Sequence, residues 1–234
     1  PFQSDSYDLA FEWYFAERAV FSIAGFWKDI DSFTARITED NVPFSETGLS
    51  CDLLDGSPIE GECDTLFTVT KNVNGNGGDL SGYEIALQLP FSFDSSSIWS
   101  TFGFVGNYTY VDSEVDYAAP GSDTPNLGPL VGLSEDSWNM TLYFENETWG
   151  ARLSGNYRSG YLIRFPDRAV EESTYVDFAS YWNINESWQL NFEVINITDE
   201  FFDQRHVAGD PAVARSYVYH HTGRNFFIGA RWKY

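Results

Sequence analysis

The 234-residue chain carries 35 acidic and 13 basic side chains, which gives a formal net charge of −22. This charge argues against nucleic acid or anionic headgroups as main partners, because both need clustered lysine and arginine. No apolar run reaches the roughly 18 residues that a transmembrane helix requires. Aromatic residues make up 18 % of the chain, and such residues are enriched in strands.

Alternation of apolar and polar residues, the period of a half-buried strand, recurs along the chain. The first example is Tyr7–Phe15, and a tight connection at Ala16–Arg18 joins it to the next. We count about nine strands, one of them interrupted by a glycine-rich run at 72–79. They cover roughly residues 7–15, 21–33, 66–89, 101–110, 138–144, 149–157, 176–182, 188–194 and 225–234.

The connections between these strands alternate in length. Short turns lie near residues 16–18, 90–97, 145–148 and 185–187, and long loops near 34–64, 112–131, 162–173 and 199–220. A soluble sandwich, the alternative that strand alternation leaves open, has no reason to sort its loops in this way. Short turns on one rim and long loops on the other are typical of an outer-membrane barrel. We therefore predict an all-β fold, an antiparallel transmembrane β-barrel with the long loops outside.

The odd strand count bears on domain organisation. Bacterial single-chain barrels close with an even number of strands, and an open sheet leaves backbone groups unpaired in the bilayer. Either the count is wrong by one or strands are missing at the amino-terminal end. The first strand opens at Tyr7, after a start without initiator methionine or signal sequence. We therefore expect residues 1–234 to be the carboxy-terminal part of a larger barrel.

The final strand has the most pronounced two-sided pattern. Its other face includes two cations, Arg231 and Lys233. An apolar face backed by cations suits a strand with lipid on one side and an aqueous lumen on the other. The apolar face consists of Phe226, Ile228, Ala230, Trp232 and Tyr234.

The two cysteines, Cys51 and Cys63, lie in a long loop rich in acidic residues, glycine and proline. A metal pair is the alternative to a disulfide, but no histidine is near and the spacing matches no zinc pattern. We predict a disulfide, which would stabilise the loop by roughly 3 kcal/mol. Such a bond indicates an oxidising compartment.

Candidate functional residues concentrate in the long loops. Arg164, Arg168 and Arg205 could face an anionic ligand, although plain solvation of exposed loops explains them equally well. The three histidines, His206, His220 and His221, do not predict a metal site, because adjacent histidines point to opposite faces of an extended chain. We find neither a nucleophile motif nor a histidine on a predicted strand, and we expect no enzyme activity, metal or cofactor.

Several segments together resemble a TonB-dependent outer-membrane receptor. Those in the second half match the end of such a receptor, and those in the first half fit its earlier strands. The matching segments are Asp8–Phe15, Phe26–Ile30, Asn156–Tyr161, Tyr175–Tyr181, Phe192–Glu200 and Gly223–Tyr234. The resemblance implies a 22-stranded barrel around a plug domain, of which this chain would hold only the last nine or so strands. We would then expect the plug domain and the earlier strands to be absent from it. The resemblance also implies that Tyr234 and the apolar residues before it form the signal read by the barrel-assembly machinery.

The resemblance implies energised uptake of a scarce nutrient across the outer membrane of a Gram-negative bacterium. The acidic loops would repel anions, so we favour an oligosaccharide over a ferric siderophore or cobalamin. Expected partners are outer-membrane lipid, the barrel-assembly machinery, the small nutrient and the TonB complex, the last through regions missing from this chain. A small stand-alone pore or structural barrel is the first alternative, and a barrel enzyme or adhesin the second.

Overall fold

The computed structural model describes residues 3–54, 63–91, 98–118, 122–207 and 215–233. Short 3-10 turns occur at Phe44–Glu46, Cys51–Leu54 and Ile98–Thr101. None of the helices in this part of the chain is long and apolar enough to cross a membrane. The strands are β1 Gln3–Ala16, β2 Ala19–Ser32, β3 Thr34–Pro43, β4 Leu66–Asn74, β5 Gly78–Pro90, β6 Phe102–Asp116, β7 Leu127–Gly128, β8 Asp136–Glu145, β9 Trp149–Arg158, β10 Tyr161–Arg164, β11 Arg168–Val170, β12 Ser173–Asn183, β13 Trp188–Ile195, β14 Phe202–His206, β15 Arg215–His220 and β16 Asn225–Trp232.

Nine of the described strands form one path of hydrogen-bonded neighbours, in the order β1-β2-β5-β6-β8-β9-β12-β13-β16, and β7 pairs with β6 beside this path. We call this the wall sheet. Its strands follow each other in chain order, and the registers from β6 to β16 are antiparallel. The predicted all-β antiparallel fold and the count of about nine strands are confirmed.

The registers from β8 to β16 align apolar residues on one face of the wall sheet. Ile228 lies opposite Phe192, and Phe192 opposite Ser180. Further along, Leu153 lies opposite Leu142 on one side and Phe178 on the other. Because side chains of directly opposed residues share a face, the period-two pattern of each strand adds up to a continuous apolar surface.

Aromatic rings border this apolar face at both ends. At the end with the long connections, Trp138 lies between Tyr108 and Tyr157 and stacks on Tyr157 with ring centroids 5.9 Å apart. The end with the short turns has tryptophan pairs, in which Trp232 opposes Trp188 and Trp182 opposes Trp149. The stretch of β9 between the two borders is about 26 Å long at roughly 3.3 Å per residue. Two aromatic girdles around an apolar band are what a membrane-spanning barrel presents to lipid.

Two of the short turns use the same side-chain device. The Asn146 side-chain oxygen accepts hydrogen bonds from the Thr148 and Trp149 amides at 2.9 and 2.8 Å. Asn185 does the same for the Ser187 and Trp188 amides at 3.0 and 2.9 Å. Asparagine oxygens satisfy turn amides in this way, so the predicted turns at 145–148 and 185–187 are confirmed. Much of the one predicted at 90–97 lies outside the described residues.

The long connections are more ordered than the sequence indicated. Strand β3 lies within the segment predicted as loop, 34–64, and pairs with β4. The prediction that residues 66–70 continue the wall series was therefore wrong, because β4 belongs to this separate hairpin. The segments predicted as loops at 162–173 and 199–220 contain most of a four-stranded sheet, β10-β11-β14-β15, which we call the loop sheet.

The chain divides into two compact units. The first comprises Pro1–Asp5, Asp29–Gly78 and Val115–Leu127, and the second comprises Ser6–Lys28, Asp79–Glu114 and Gly128–Tyr234. In the first unit, Thr38 and Thr70 hydroxyls lie 3.1 Å apart across β3 and β4, and Phe44 packs on Phe67 at 5.3 Å between ring centroids. The second unit contains the loop sheet and most of the wall sheet.

Candidate ligand-binding surface on the loop sheet

The loop sheet brings together basic residues that are distant in sequence. Arg164 lies opposite Arg168, Arg168 opposite His206, and His206 opposite Arg215. Opposed residues of antiparallel strands share a face, so these four side chains form a line across all four strands. We call Arg164, Arg168, His206 and Arg215 the cationic row.

One carboxylate partly neutralises the cationic row. Asp167, in the turn between β10 and β11, accepts two hydrogen bonds from Arg164, one of them from Nε at 2.6 Å. The same carboxylate lies 3.3 Å from Nε2 of His206. The hydrogen bonds from Arg164 hold the pKa of Asp167 below its usual range and raise the pKa of Arg164. Asp167 therefore stays ionised and contacts the first and the third member of the row.

Arg168, the second member of the row, has a different environment. Its guanidinium carbon lies 3.9 Å from the centroid of the Tyr217 ring, an arrangement in which the ring face stabilises the cation. Its Nε is shielded from solvent and has no hydrogen-bond partner within the described residues. Stacking on Tyr217 thus holds the group in place.

Arg205 lies on the opposite face of the loop sheet. Its Nε donates to the buried Asp203 at 2.9 Å and is 3.1 Å from a Glu171 oxygen. The hydrogen bond to Asp203 raises the pKa of Arg205, and Ser216 donates to the second Asp203 oxygen at 2.5 Å. Of the three arginines predicted to face a ligand, the structure brings Arg164 and Arg168 together and separates Arg205 from them.

The sequence placed Arg215 among the loop arginines that could form an anion patch, but it did not indicate that His206 joins Arg164, Arg168 and Arg215 in one row. No local pattern could have shown it, because the row depends on pairing between two loops and on irregular registers at Leu162/Arg164 and Gln204/Arg205. Each shift changes which residues share a face. Within the residues that the structure describes, no three histidine, cysteine, aspartate or glutamate side chains are grouped so that they could hold a metal ion.

The remaining predicted sites lie elsewhere. Cys51 and Cys63 are placed as a disulfide pair with Cα atoms 5.6 Å apart, a normal separation for such a bond. In the predicted assembly signal, Phe226, Ile228 and Trp232 are 65, 84 and 59 % exposed. Ala230 is also exposed, on the same face of β16, whereas Tyr234 lies outside the described residues.

The polar face of the wall sheet has a shallow depression of about 330 Å³. The depression is lined by Tyr143, Arg152, Tyr181 and Glu193, among others, and Tyr181 donates to Glu145 at 3.2 Å. The Tyr181 ring lies over the bare backbone of Gly150, where a Cβ atom would collide with it. An aromatic ring over a strand glycine restores the packing that the missing side chain would give and holds the ring in place. The Tyr181 side chain on this polar face is therefore ordered by packing.

Comparison with known proteins gives one family and several structures. The family model described as "TonB dependent receptor-like, beta-barrel" matches residues 1–197. No curated protein matches the chain. Among solved structures, the ferric-catecholate import receptor Fiu of E. coli K12 has a TM-score of 0.59 at 14 % identity, over 99 % of this chain and 28 % of its own.

Two further structures give the same result. The siderophore receptor PirA of Acinetobacter baumannii has a TM-score of 0.57 at 12 % identity, covering 99 % of this chain and 32 % of its own. The ferric enterobactin receptor PfeA of Pseudomonas aeruginosa, in a mutant form, has the same TM-score and identity, covering 99 % and 31 %. The chain therefore spans about a third of the length of the structures it resembles, and at this identity the likeness concerns the fold.

Proposed function

The chain belongs to the TonB-dependent receptor-like β-barrel family, and from this membership we propose that it is part of an outer-membrane receptor for energised uptake of a scarce nutrient. The family lies in the outer membrane of Gram-negative bacteria, and this chain does too. Residues 1–234 would supply carboxy-terminal strands of the barrel, with the plug domain and the earlier strands in other parts of the receptor.

The observation that carries this proposal is that the wall sheet and the loop sheet present two chemically different surfaces. The wall sheet has one apolar face bordered by aromatic girdles, whereas two of the long connections build the loop sheet with its cationic row. A lipid-facing wall and an ordered, charged outer surface are the two parts that a receptor for a polar solute needs. A passive pore needs the wall alone.

The proposed partners follow from the same reading. The apolar face contacts outer-membrane lipid, and β16 with Tyr234 serves the barrel-assembly machinery. The TonB complex acts through regions outside this chain, and the nutrient is a small molecule. The receptor transports its substrate without chemical change, so we propose no catalytic role.

We propose two substrate classes. The net charge of −22 favours a neutral oligosaccharide. The cationic row favours an anionic ligand instead, and ferric siderophores are of this kind. The import of ferric catecholate and the binding of ferric enterobactin named for Fiu and PfeA point to the second class.

Growth of a deletion strain tests both proposals. We expect the strain to lose growth either when a ferric siderophore is the sole iron source or when an oligosaccharide is the sole carbon source. A strain with disrupted TonB should show the same loss. An antibody against this chain should detect a native protein much larger than the chain itself. Solute leakage that persists without TonB, together with a native protein of the size of this chain, would instead establish the stand-alone pore.

A further inference from the structure

The apolar face of the wall sheet has a recess near its short-turn end. Two small residues on neighbouring strands, Ala151 of β9 and Ser180 of β12, lie directly opposite each other on this face. Larger side chains surround them, so the pair forms the floor of a recess of about 550 Å³, which we call the wall recess. It lies inside the sheet, because β8 flanks β9 and β16 flanks β13. The large side chains that line it are Trp149, Phe178, Trp182, Leu190, Phe192 and Ile228.

Ring contacts hold the sides of the wall recess in place. The ring centroids of Phe178 and Phe192 are 6.3 Å apart, and those of Trp149 and Phe144 are 4.2 Å apart. Contacting aromatic rings are stabilised beyond the area that they bury, so the recess is formed before a ligand enters it. A pre-formed site loses less conformational freedom on binding, which favours affinity.

The depth of the wall recess determines which membrane component can reach it. Ala151 is two positions from Trp149 in the short-turn girdle, about 7 Å along the strand. It is also two positions from Leu153, which lies midway between the two girdles on β9, so the recess is in the half of the apolar band nearer the short turns. The short turns of outer-membrane barrels face the periplasm. This half therefore meets the inner leaflet of the outer membrane, whose lipids are phospholipids.

We propose that the wall recess binds one acyl chain of an inner-leaflet phospholipid. The recess continues the lipid interface of the apolar face, but unlike a flat surface it can hold a single lipid in one place. The hydrocarbon core contains no water to fill the recess, and an unfilled space loses dispersion contacts along its lining. A flexible acyl chain is the component at this depth that fits such a space. The inference goes beyond the proposed uptake and rests only on the outer-membrane placement of the wall sheet.

Ser180 contributes a polar group to the floor of the recess. Its hydroxyl is 3.5 Å from the Phe192 carbonyl oxygen, at the long limit of a hydrogen bond. A hydroxyl that faces hydrocarbon is costly unless it has a well-placed partner. The ester carbonyl at the head of an acyl chain supplies such a partner, and lipid esters lie close to the interfacial depth of a tryptophan girdle. The chain would therefore enter beside the girdle and run past Ser180 towards Phe178.

The test uses the full-length receptor, purified in a neutral detergent and stripped of lipid. Phosphatidylethanolamine with one palmitoyl and one oleoyl chain is titrated, and native mass spectrometry counts the bound lipids and gives a dissociation constant for each step. We expect the first lipid to bind about tenfold more tightly than those that follow, the equivalent of roughly two well-packed methylene groups. Ala151→Leu should remove this difference, because the leucine side chain occupies the space of those groups.

A matched variant makes the result specific. Ala179→Leu is the same substitution one residue from Ser180, on the polar face of β12 opposite Arg152 and Glu193, and the first lipid should still bind tightly. If Ala151→Leu does not give the folded, heat-modifiable form, Ser180→Val fills the recess from β12 and should have the same effect. Equal steps in the wild type, an unchanged first step in the filled variant, or the same loss in Ala179→Leu would overturn the proposal.

The outcomes for the recess and for transport can be told apart. Lipid counting needs no uptake, so a tight first lipid in a receptor that fails the growth test would refute the proposed function and leave the recess standing. Normal uptake with equal lipid steps would refute the recess alone. Equal steps together with a second polypeptide that stays bound in the spectra would assign the recess to a protein instead of a lipid.

Discussion

A single charge placed on each face of β9 provides the sharpest test of the wall. Leu153 is on the apolar face, midway between Trp149 and Tyr157, and it lies opposite Leu142 and Phe178. If this face meets lipid, Leu153→Arg places a cation near the centre of the bilayer. The expected cost in the free energy of unfolding is about 2–4 kcal/mol, as for arginine at the midplane of other barrels.

The adjacent residue, Ser154, is the matched control at the same depth. It points to the polar face, where its hydroxyl lies 2.9 Å from that of Thr141, and this face already carries Arg152 nearby. Ser154→Arg loses this hydrogen bond but keeps the new charge in a polar environment. We expect a cost of about 1 kcal/mol, well below that of Leu153→Arg.

Both variants are measured in the full-length receptor reconstituted into phosphatidylcholine vesicles. Guanidinium unfolding followed by tryptophan fluorescence gives the free energies, and the heat-modifiable band on gels gives the folded fraction. The reasoning would be refuted by equal costs in the two variants, or by a greater cost for Ser154→Arg. Either result would mean that the apolar face of β9 does not meet hydrocarbon.

Three further predictions concern the loops and the wall ends. Replacing both Cys51 and Cys63 with serine should speed proteolytic cleavage between them, because the disulfide contributes at most roughly 3 kcal/mol to holding this loop closed; unchanged digestion would count against the bond. Because the pKa of Asp167 is lowered, its ion pair with Arg164 stabilises the β10–β11 turn at pH values above the usual aspartate pKa of about 3.9. This stabilisation is lost as the pH falls through the lowered pKa. Because the Arg164 side chain is 53 % exposed, solvent screening keeps this contribution small. Asp167→Asn should abolish the acid-dependent loss of amide-exchange protection in this turn. Asn196 is 2 % exposed with a φ of 61°, and its side chain donates to the Glu200 carbonyl at 2.8 Å. Asn196→Ala should therefore cost about 2–4 kcal/mol in unfolding experiments, and a near-neutral effect would contradict this reading of the turn.

The wall sheet could be predicted from the sequence because each strand is recognised by a pattern within itself and pairs with the next wall strand along the chain. Wall strands alternate apolar and polar residues over several positions, as in the seven residues from Trp138 to Phe144. Short turns with Asn146 or Asn185 then follow at once. Pairing between neighbours in the chain then needs no further information. The TonB-dependent receptor family was predicted for the same reason, since the segments that resemble it are wall strands and their ends.

The loop structures could not be predicted, because they depend on distant pairing. Strand β3 contains two acidic residues as well as Asn41 and Pro43, and all of these residue types are depleted in strands. Its partner β4 follows only after the cysteine loop. Strand β11 has three residues, too few for any period to appear. The cationic row also depends on two register shifts. The sequence therefore could not show that Arg205, which we had grouped with Arg168, lies on the opposite face of the loop sheet.

The long connections leave the wall sheet and return to a neighbouring strand. The β3–β4 hairpin departs after Ser32 and returns at Gly78, and the two halves of the loop sheet begin and end at adjoining wall strands in the same way. Because hydrogen bonding between the neighbours fixes the wall register, the content of an excursion can change with little effect on the wall, and the entropy of closing a longer loop grows only slowly. Recognition surfaces can thus be lengthened or exchanged during evolution on an unchanged scaffold. Sequences that keep the same fold at 12–14 % identity are the outcome that such modularity permits.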